Sequence, residues 1–248
     1  MTPRLSLQLY TVREALGEDF DGTIAKVASY GFSHVEPYGI DKFADQLVES
    51  LGRHGLDAPT AHGNPVTGDL AATIEGCQKV GVQRIIQPGS PRELWESVDG
   101  VKQWADQLNT TAAKAKAEGL AFGYHNHAFE LEAVFDGVHA LDILADELDP
   151  EVGLEIDTYW AHVGGADTVA LLKRLGDRVI ALHVKDGDGT HDNKKQVAVG
   201  AGSVPVLDFI AAAPHVADAV VELDDTTGDM LAAVRDSYAY LADKENWA

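Results

Sequence analysis

The 248 residues are 45% hydrophobic and 24% charged, close to ordinary globular averages, which excludes a disordered chain and a collagen-like or coiled-coil rod. Nineteen Lys and Arg stand against 40 Asp and Glu, a formal net charge of −21. With no basic block to neutralise phosphates, nucleic acid is not an expected partner. The longest apolar stretches, such as Val179–Leu182 and Leu207–Ala213, fall short of the ~20 residues that cross a bilayer, so no membrane span is expected.

Met1-Thr2-Pro3-Arg4 runs directly into strand-like sequence without the basic-then-apolar build of a signal peptide, so the expected location is the cytoplasm. From there, short apolar runs bounded by turn residues alternate with stretches of helical period through eight rounds. The strand signal covers Ser6–Tyr10, His34–Pro37, Ala58–His62, Arg84–Gln87, Ala121–His125, Gly153–Asp157, Val179–Val184 and Ala219–Glu222. Helical period covers Phe20–Ser29, Phe43–His54, Ala71–Val80, Val98–Glu118, Val138–Glu147, Asp167–Arg174, Val204–Ala213 and Asp229–Asp243. Gly55, Gly81, Gly119 and Gly176 close helices where a left-handed cap suits glycine. The lone cysteine, Cys77, lies at the packed end of a helix, with no partner for a disulfide.

Strands alternating with helices imply parallel pairing with right-handed crossovers, and eight such units in this length predict one closed (β/α)8 TIM barrel over residues 1–248. An open doubly wound sheet is the alternative. Against it, Thr11-Val12-Arg13-Glu14 follows the first strand where a dinucleotide-binding fold places its glycine-rich turn. The glycine-rich stretch 187–202 reads as a long loop of the active face, though its charged middle from Asp186 through Lys195 is equally compatible with a mobile surface excursion.

Chemistry in such a barrel sits where the strands end. Polar residues gather there: Glu36, His62, Gln87, His125, Asp157, His183 and Glu222 terminate the second to eighth strands in order. Asp157, His183 and Glu222 each follow aliphatic residues, and a lone buried charge costs several kcal/mol, so each needs a partner. Three such groups aimed at one centre suit a divalent cation, Mn²⁺, Mg²⁺, Co²⁺ or Zn²⁺. The alternative is a hydrogen-bonded Asp157–His183 pair with Glu222 ion-paired to Lys185. Strand period places His125 inward, as a substrate contact or proton shuttle. Lys185, on the face of His183, is a candidate to hold a developing oxyanion or to bridge acidic neighbours. Glu155 lies one layer below Asp157 and reads as a core ion pair or support for the site. His127 and Glu130 fall beyond the strand, where loop solvation is expected. Tyr10, Tyr159 and Trp160 are candidates for an apolar wall against a sugar ring, and Glu36 and His62 for further substrate contacts.

The motifs Ser6-Leu7-Gln8-Leu9-Tyr10-Thr11-Val12-Arg13, Tyr124-His125-Asn126-His127, Glu155-Ile156-Asp157-Thr158-Tyr159-Trp160, His183-Val184-Lys185-Asp186 and Gly200-Ala201-Gly202-Ser203-Val204 together resemble the sugar phosphate isomerase/epimerase family of xylose-isomerase-like barrels. The resemblance covers nearly the whole chain. It implies one divalent metal held by a Glu, Asp, His, Glu set on strands five to eight, with Asp157, His183 and Glu222 in the last three places. It sets Gly123, or else Tyr124, at the place of the first glutamate, leaving a water, His125 or Glu36 to fill the gap. It further implies a small carbohydrate substrate and removal of a proton beside a carbonyl, with Glu222, His125 and Lys185 as the catalytic residues. A lyase acting on a keto-polyol or 3-keto-glycoside, and a barrel that binds sugar without turnover, are the alternatives. The endonuclease branch of the superfamily fits poorly, because Trp160 stands where a histidine is expected three places after Asp157. Such barrels often pair, and Tyr238, Tyr240 and Trp247 are candidates for contact with a second copy.

Overall fold

The computed structural model describes residues 3–243, and the candidate contact residue Trp247 lies outside them. Eight parallel strands carry the chain: β1 (Arg4–Gln8), β2 (His34–Glu36), β3 (Thr60–His62), β4 (Arg84–Gln87), β5 (Ala121–His125), β6 (Val152–Asp157), β7 (Val179–Val184) and β8 (Asp218–Val221). Their hydrogen-bonded order is β2-β1-β8-β7-β6-β5-β4-β3, a TIM barrel that is almost closed. At the remaining seam, Val35 N donates to Asp57 O at 2.9 Å and His62 N to Pro37 O at 2.8 Å. These bonds bring β2 beside β3 although the strands do not form a continuous ladder.

The crossover helices form where the sequence supplies both an apolar stripe and a cap. Asp19, Asp69, Ser97, Asp167 and Asp229 each accept a backbone N–H in the first turn of the helix that follows, a bond worth about 1 kcal/mol. Gly55 and Gly81 end theirs in the left-handed conformation, and a β-carbon is disfavoured there. The expected elements recur with shifted ends. The first strand stops at Gln8, and Leu9–Val12 turns as a 3-10 segment into a short helix, Arg13–Glu18. The stretch expected as one helix from Val138 begins instead as a small hairpin, Val134–Phe135 against Val138–His139, and becomes helical at Ala140.

Two details of the barrel interior set the height of the site. The β6–β7 register slips by one residue between Leu154 and Glu155, and Ile180 fills the floor. A β-carbon on Gly123 would stand 2.8 Å from Ile86 Cδ1 and 3.0 Å from Ile180 Cδ1, and one on Gly153 would stand 2.5 Å from Ile180 Cγ2. Both glycines make room for that side chain, and the polar layer begins one step above them, at His125 and Glu155.

The loop after β7 is anchored at its two ends, while most of its charged middle, 188–195, is exposed. The Asp186 carboxylate accepts from the backbone N–H groups of Gly187, Gly200, Gly202 and Val204 at 2.8–3.2 Å. Gln196, fully buried, exchanges two bonds with Asp224 at 2.7 and 2.9 Å. Tyr238 packs on Phe32 with ring centres 4.7 Å apart, and Tyr240 lies over Gly200, so both rings pack within the chain. Among the described residues no helix is long and apolar enough to cross a membrane.

Candidate active site

The carboxyl ends of the strands open into a cavity of about 670 Å³, whose lining includes Tyr10, Tyr38, Phe43, His62, Asn64, His125, His127, Glu222 and Asp224. Tyr10, 42% exposed, meets Tyr38 edge-on at 5.3 Å, and Tyr38 meets Phe43 at 5.7 Å. The aromatic wall therefore runs along β1 and β2. Trp160, expected in that wall, is buried beneath the loop after β7, with its ring 5.6 Å from Lys185 Nζ and stacked on His191. Glu36 is fully buried and is not among the lining residues, whereas His62 reaches the cavity.

Below the opening, side chains from six strands meet in two layers. The outer layer holds Asp157, Glu222 and Lys185. Lys185 Nζ stands 3.0 Å from Asp157 Oδ2, 2.8 Å from Glu222 Oε2 and 2.8 Å from Asp224 Oδ2, and its side chain is 1% exposed. Burial lowers the Lys185 ammonium pKa, but these three carboxylates outweigh it and hold the group well above its ordinary value. Asp157 serves two structures. Its Oδ1 accepts Trp160 N at 2.8 Å and so caps the helix Thr158–Val163, leaving Oδ2 turned to the site. Asn126 Oδ1 accepts Asp157 N at 3.0 Å, and Thr158 Oγ1 donates to His183 O at 2.9 Å, which locks the ends of β5, β6 and β7 together.

The inner layer holds Glu36 and Glu155. Glu36 accepts Gln8 Nε2 at 2.8 Å and the Thr60 hydroxyl. Glu155 Oε2 lies 2.7 Å from His62 Nε2, 3.0 Å from His183 Nε2 and 3.2 Å from His125 Nδ1. Sequence reasoning placed Glu155 one step below Asp157 but missed that three imidazoles converge on it; barrel closure supplies that information, since His62 and Glu155 are 93 residues apart.

Burial works against the His62 imidazolium, yet Glu36 and Glu155 hold its pKa up at about 9. Glu155 feels burial and Glu36 pushing it up, but His183 and His62 bring it to about 2. The pKa of His183 is held well above the ordinary value, because Glu155 and Glu222 outweigh burial. His125 goes the other way: burial, and then the charge of His183, push it well below an ordinary imidazole. A neutral imidazole beside the cavity is a proton acceptor.

The bridging of acids by Lys185 matches one half of the structural alternative, because Lys185 does pair with Glu222. The other half is replaced: His183 Nδ1 bonds Glu222 Oε2 at 2.7 Å rather than Asp157. Glu130, expected in solvent, is fully buried, accepting Tyr124 Oη–H at 2.7 Å and His127 N at 2.8 Å. That network fixes the turn presenting His127.

The place set for a first glutamate also changes. Gly123 belongs to the floor, where no side chain fits, and Tyr124 points away to Glu130. The strand-five residue whose side chain reaches Asp157, His183 and Glu222 is His125, which starts from the level of Glu155. These four each offer a ligand atom within 4.8 Å of one another. Asp157 Oδ2 is buried without a well-directed hydrogen-bond partner. Two imidazole nitrogens and two carboxylate oxygens are a donor set that Zn²⁺, Mn²⁺ and Co²⁺ accept, so the residues fit a divalent cation. His62, His125, Glu155 and His183 form a second such group in the inner layer.

The chain belongs to the xylose isomerase-like TIM barrel family, whose model matches residues 24–222. Over 93 residues, 37% of this chain, it is 36% identical to an inosose dehydratase from Geobacillus kaustophilus, and that stretch spans only 27% of the enzyme. The fold is similar to a sugar phosphate isomerase/epimerase from Parabacteroides distasonis, at a TM-score of 0.83 and 24% identity over 98% of this chain and 99% of that one. It is also similar to the IOLI protein solved with a zinc atom, at a TM-score of 0.70 and 16% identity, covering 96% of both chains. An isomerase/epimerase barrel thus stands among its neighbours in fold, and a dehydratase among its neighbours in sequence.

Proposed function

We propose that this chain is a divalent-cation-dependent isomerase or epimerase of a small sugar or keto-sugar, acting by removal of a proton beside a carbonyl. The observation that carries the reading is the convergence of His125, Asp157, His183 and Glu222 at the floor of an aromatic-walled cavity. These four residues would hold the cation, which supplies Lewis-acid polarisation of a substrate oxygen. Glu222 faces both the cavity and Lys185, so its carboxylate is placed to take the proton. Once protonated, Glu222 is itself placed to return the proton, and His125, neutral and on the cavity wall, would serve as a ligand rather than as the acid. Lys185 brings a buried ammonium to the oxygen that gains charge, where a well-placed donor is worth roughly 10²–10³ in rate. Tyr10, Tyr38 and Phe43 present ring faces and edges to the sugar's C–H surface. The inner position of Glu36 supports a role behind His62 and His183 rather than on substrate.

A second reading has one observation in its favour, the stretch 36% identical to an inosose dehydratase. Elimination from a keto-polyol begins with the same proton removal and needs only one carboxylate base. The experiment for both is incubation of candidate ketoses and keto-polyols in D₂O with added Mn²⁺. Deuterium beside the carbonyl of recovered sugar or its epimer supports the first reading, and an α,β-unsaturated ketone supports the second. No exchange on any of them, with metal bound, refutes proton abstraction.

A further inference from the structure

His183 and His125 each turn their two ring nitrogens to two different layers. His183 presents Nδ1 to Glu222 Oε2 at 2.7 Å in the outer layer and Nε2 to Glu36 Oε1 at 2.8 Å in the inner one. His125 presents Nε2 toward Asp157 Oδ2 at 3.9 Å and Nδ1 toward Glu155 Oε2 at 3.2 Å. Of the two rings, His183 is held by the better-formed bonds.

A carboxylate only accepts, so the nitrogen facing it carries the proton. Glu36 is itself held by two donors from other strands, Gln8 Nε2 at 2.8 Å and the Thr60 hydroxyl. Its oxygens are thereby fixed in space before any cation binds. The donors are uncharged and fully or nearly buried, and they have no function toward substrate that the cavity lining shows. Their evident effect is to aim one carboxylate at His183 Nε2. Nδ1 also faces a carboxylate, Glu222 Oε2 at 2.7 Å, so both nitrogens carry protons until a cation bound beside Asp157 and Glu222 displaces the one on Nδ1, while Glu36 retains the one on Nε2.

We infer that Glu36 is a positioning residue, buttressed by Gln8 and Thr60, which fixes the tautomer and ring orientation of His183 so that Nδ1 faces the cation. The inference rests on the cation reading of the outer group. It also leaves the inner group without a ligand from His183: with Nε2 protonated toward Glu36 and Nδ1 on the cation, that ring has no lone pair for a second ion. One ion per chain follows, with none between Glu36, Glu155 and His62.

The test uses the full chain with Zn²⁺ as the probe. Zinc affinity is measured by chelator competition on the wild type, E36Q and T60V, and ¹⁵N–¹H long-range spectra of histidine-labelled wild type report the His183 tautomer. The expected results are one zinc per chain, a His183 Nε2–H tautomer with Nδ1 as ligand, and an affinity lower by about 10–100-fold in E36Q. T60V, which keeps the carboxylate and loosens it, is expected to fall between E36Q and the wild type. The wild-type spectrum needs no variant, so the inference stays testable if E36Q does not fold. Zinc bound through His183 Nε2, two zinc ions per chain, or E36Q affinity within twofold of wild type overturns the inference alone. A wild type that takes up no zinc overturns the cation reading and the inference with it.

Discussion

Replacing Lys185 by Met keeps the length and most of the volume of the side chain and removes its charge. Its ammonium is 1% exposed and stands within 3.0 Å of oxygens from Asp157, Glu222 and Asp224. Asp157 is fully buried and Glu222 nearly so, which leaves Asp157 with His183, and Glu222 with His183 and His62, as the remaining nearby cations. Removing one partner of a buried ion pair costs about 3–5 kcal/mol. Asp224, 21% exposed at its side chain, retains solvent and Gln196 and adds little. For a chain of this size 1 kcal/mol shifts Tm by roughly 2–4 °C, so K185M in chelator is expected to melt about 6–20 °C below the wild type. A cation in the outer group replaces the lost positive charge. Saturating Mn²⁺ or Zn²⁺ at about 100 times its Kd stabilises by about 2.7 kcal/mol, so the variant regains a large part of the loss. The assay is thermal melting of both proteins in chelator and in metal. A variant that melts within 2 °C of the wild type in chelator would show that Lys185 does not neutralise the acids, and the electrostatic account of the outer layer would fail.

Four further outcomes follow from particular contacts. E222Q is expected to lose proton exchange by about 10²–10⁴-fold while remaining folded, measured by deuterium uptake into the recovered ketose; unchanged exchange would move the base elsewhere. G123A is expected to lose about 1–3 kcal/mol through overpacking against Ile86 and Ile180, read by urea denaturation, and a G123E protein with tighter zinc binding would contradict the placement of Gly123 in the floor. Cys77 is fully buried and its thiol is pushed up to about 12 by burial, so a thiol reagent at pH 8 should label it only in denaturant; rapid labelling of the native chain would refute the packing of that helix. Asp21 accepts from Ser50 and pairs with Arg53, which together bring it down to about 2 from 3.8. Because the folded value is depressed, its stabilising effect is present above about pH 4 and lost as pH falls through 2. The gap in Tm between the wild type and D21N should therefore shrink across that window, and a constant gap would refute the pairing.

The barrel was legible because its strands obey a simple rule: β-branched and aliphatic runs end in a polar residue, and helical stretches end in glycine or begin with Asp or Ser. The strand ends His62, His125, Asp157 and His183 were readable on that pattern alone. Leu9-Tyr10 read as the end of the first strand because its residues favour extended backbone, yet the chain turns there, over Leu9–Val12, and places Tyr10 over the cavity. Glu155 was readable as inward-facing, but period two carries no information on which strands lie across the barrel, and its histidine partners come from β3, β5 and β7. The floor position of Gly123 depends on the one-residue slip beside Glu155, which leaves no mark on hydrophobic period. Asp157 hid a second task, since a helix cap and a ligand both look like an acid at a strand end. Glu130 likewise read as solvated because its hydroxyl partner, Tyr124, points away from the barrel axis.

Anomalous diffraction from crystals grown with Mn²⁺ measures the central claim directly. The account predicts one peak per chain, within coordination distance of His125, Asp157, His183 and Glu222 and with Lys185 turned aside. A barrel without a peak, or a peak seated between Glu36, Glu155 and His62, would contradict it.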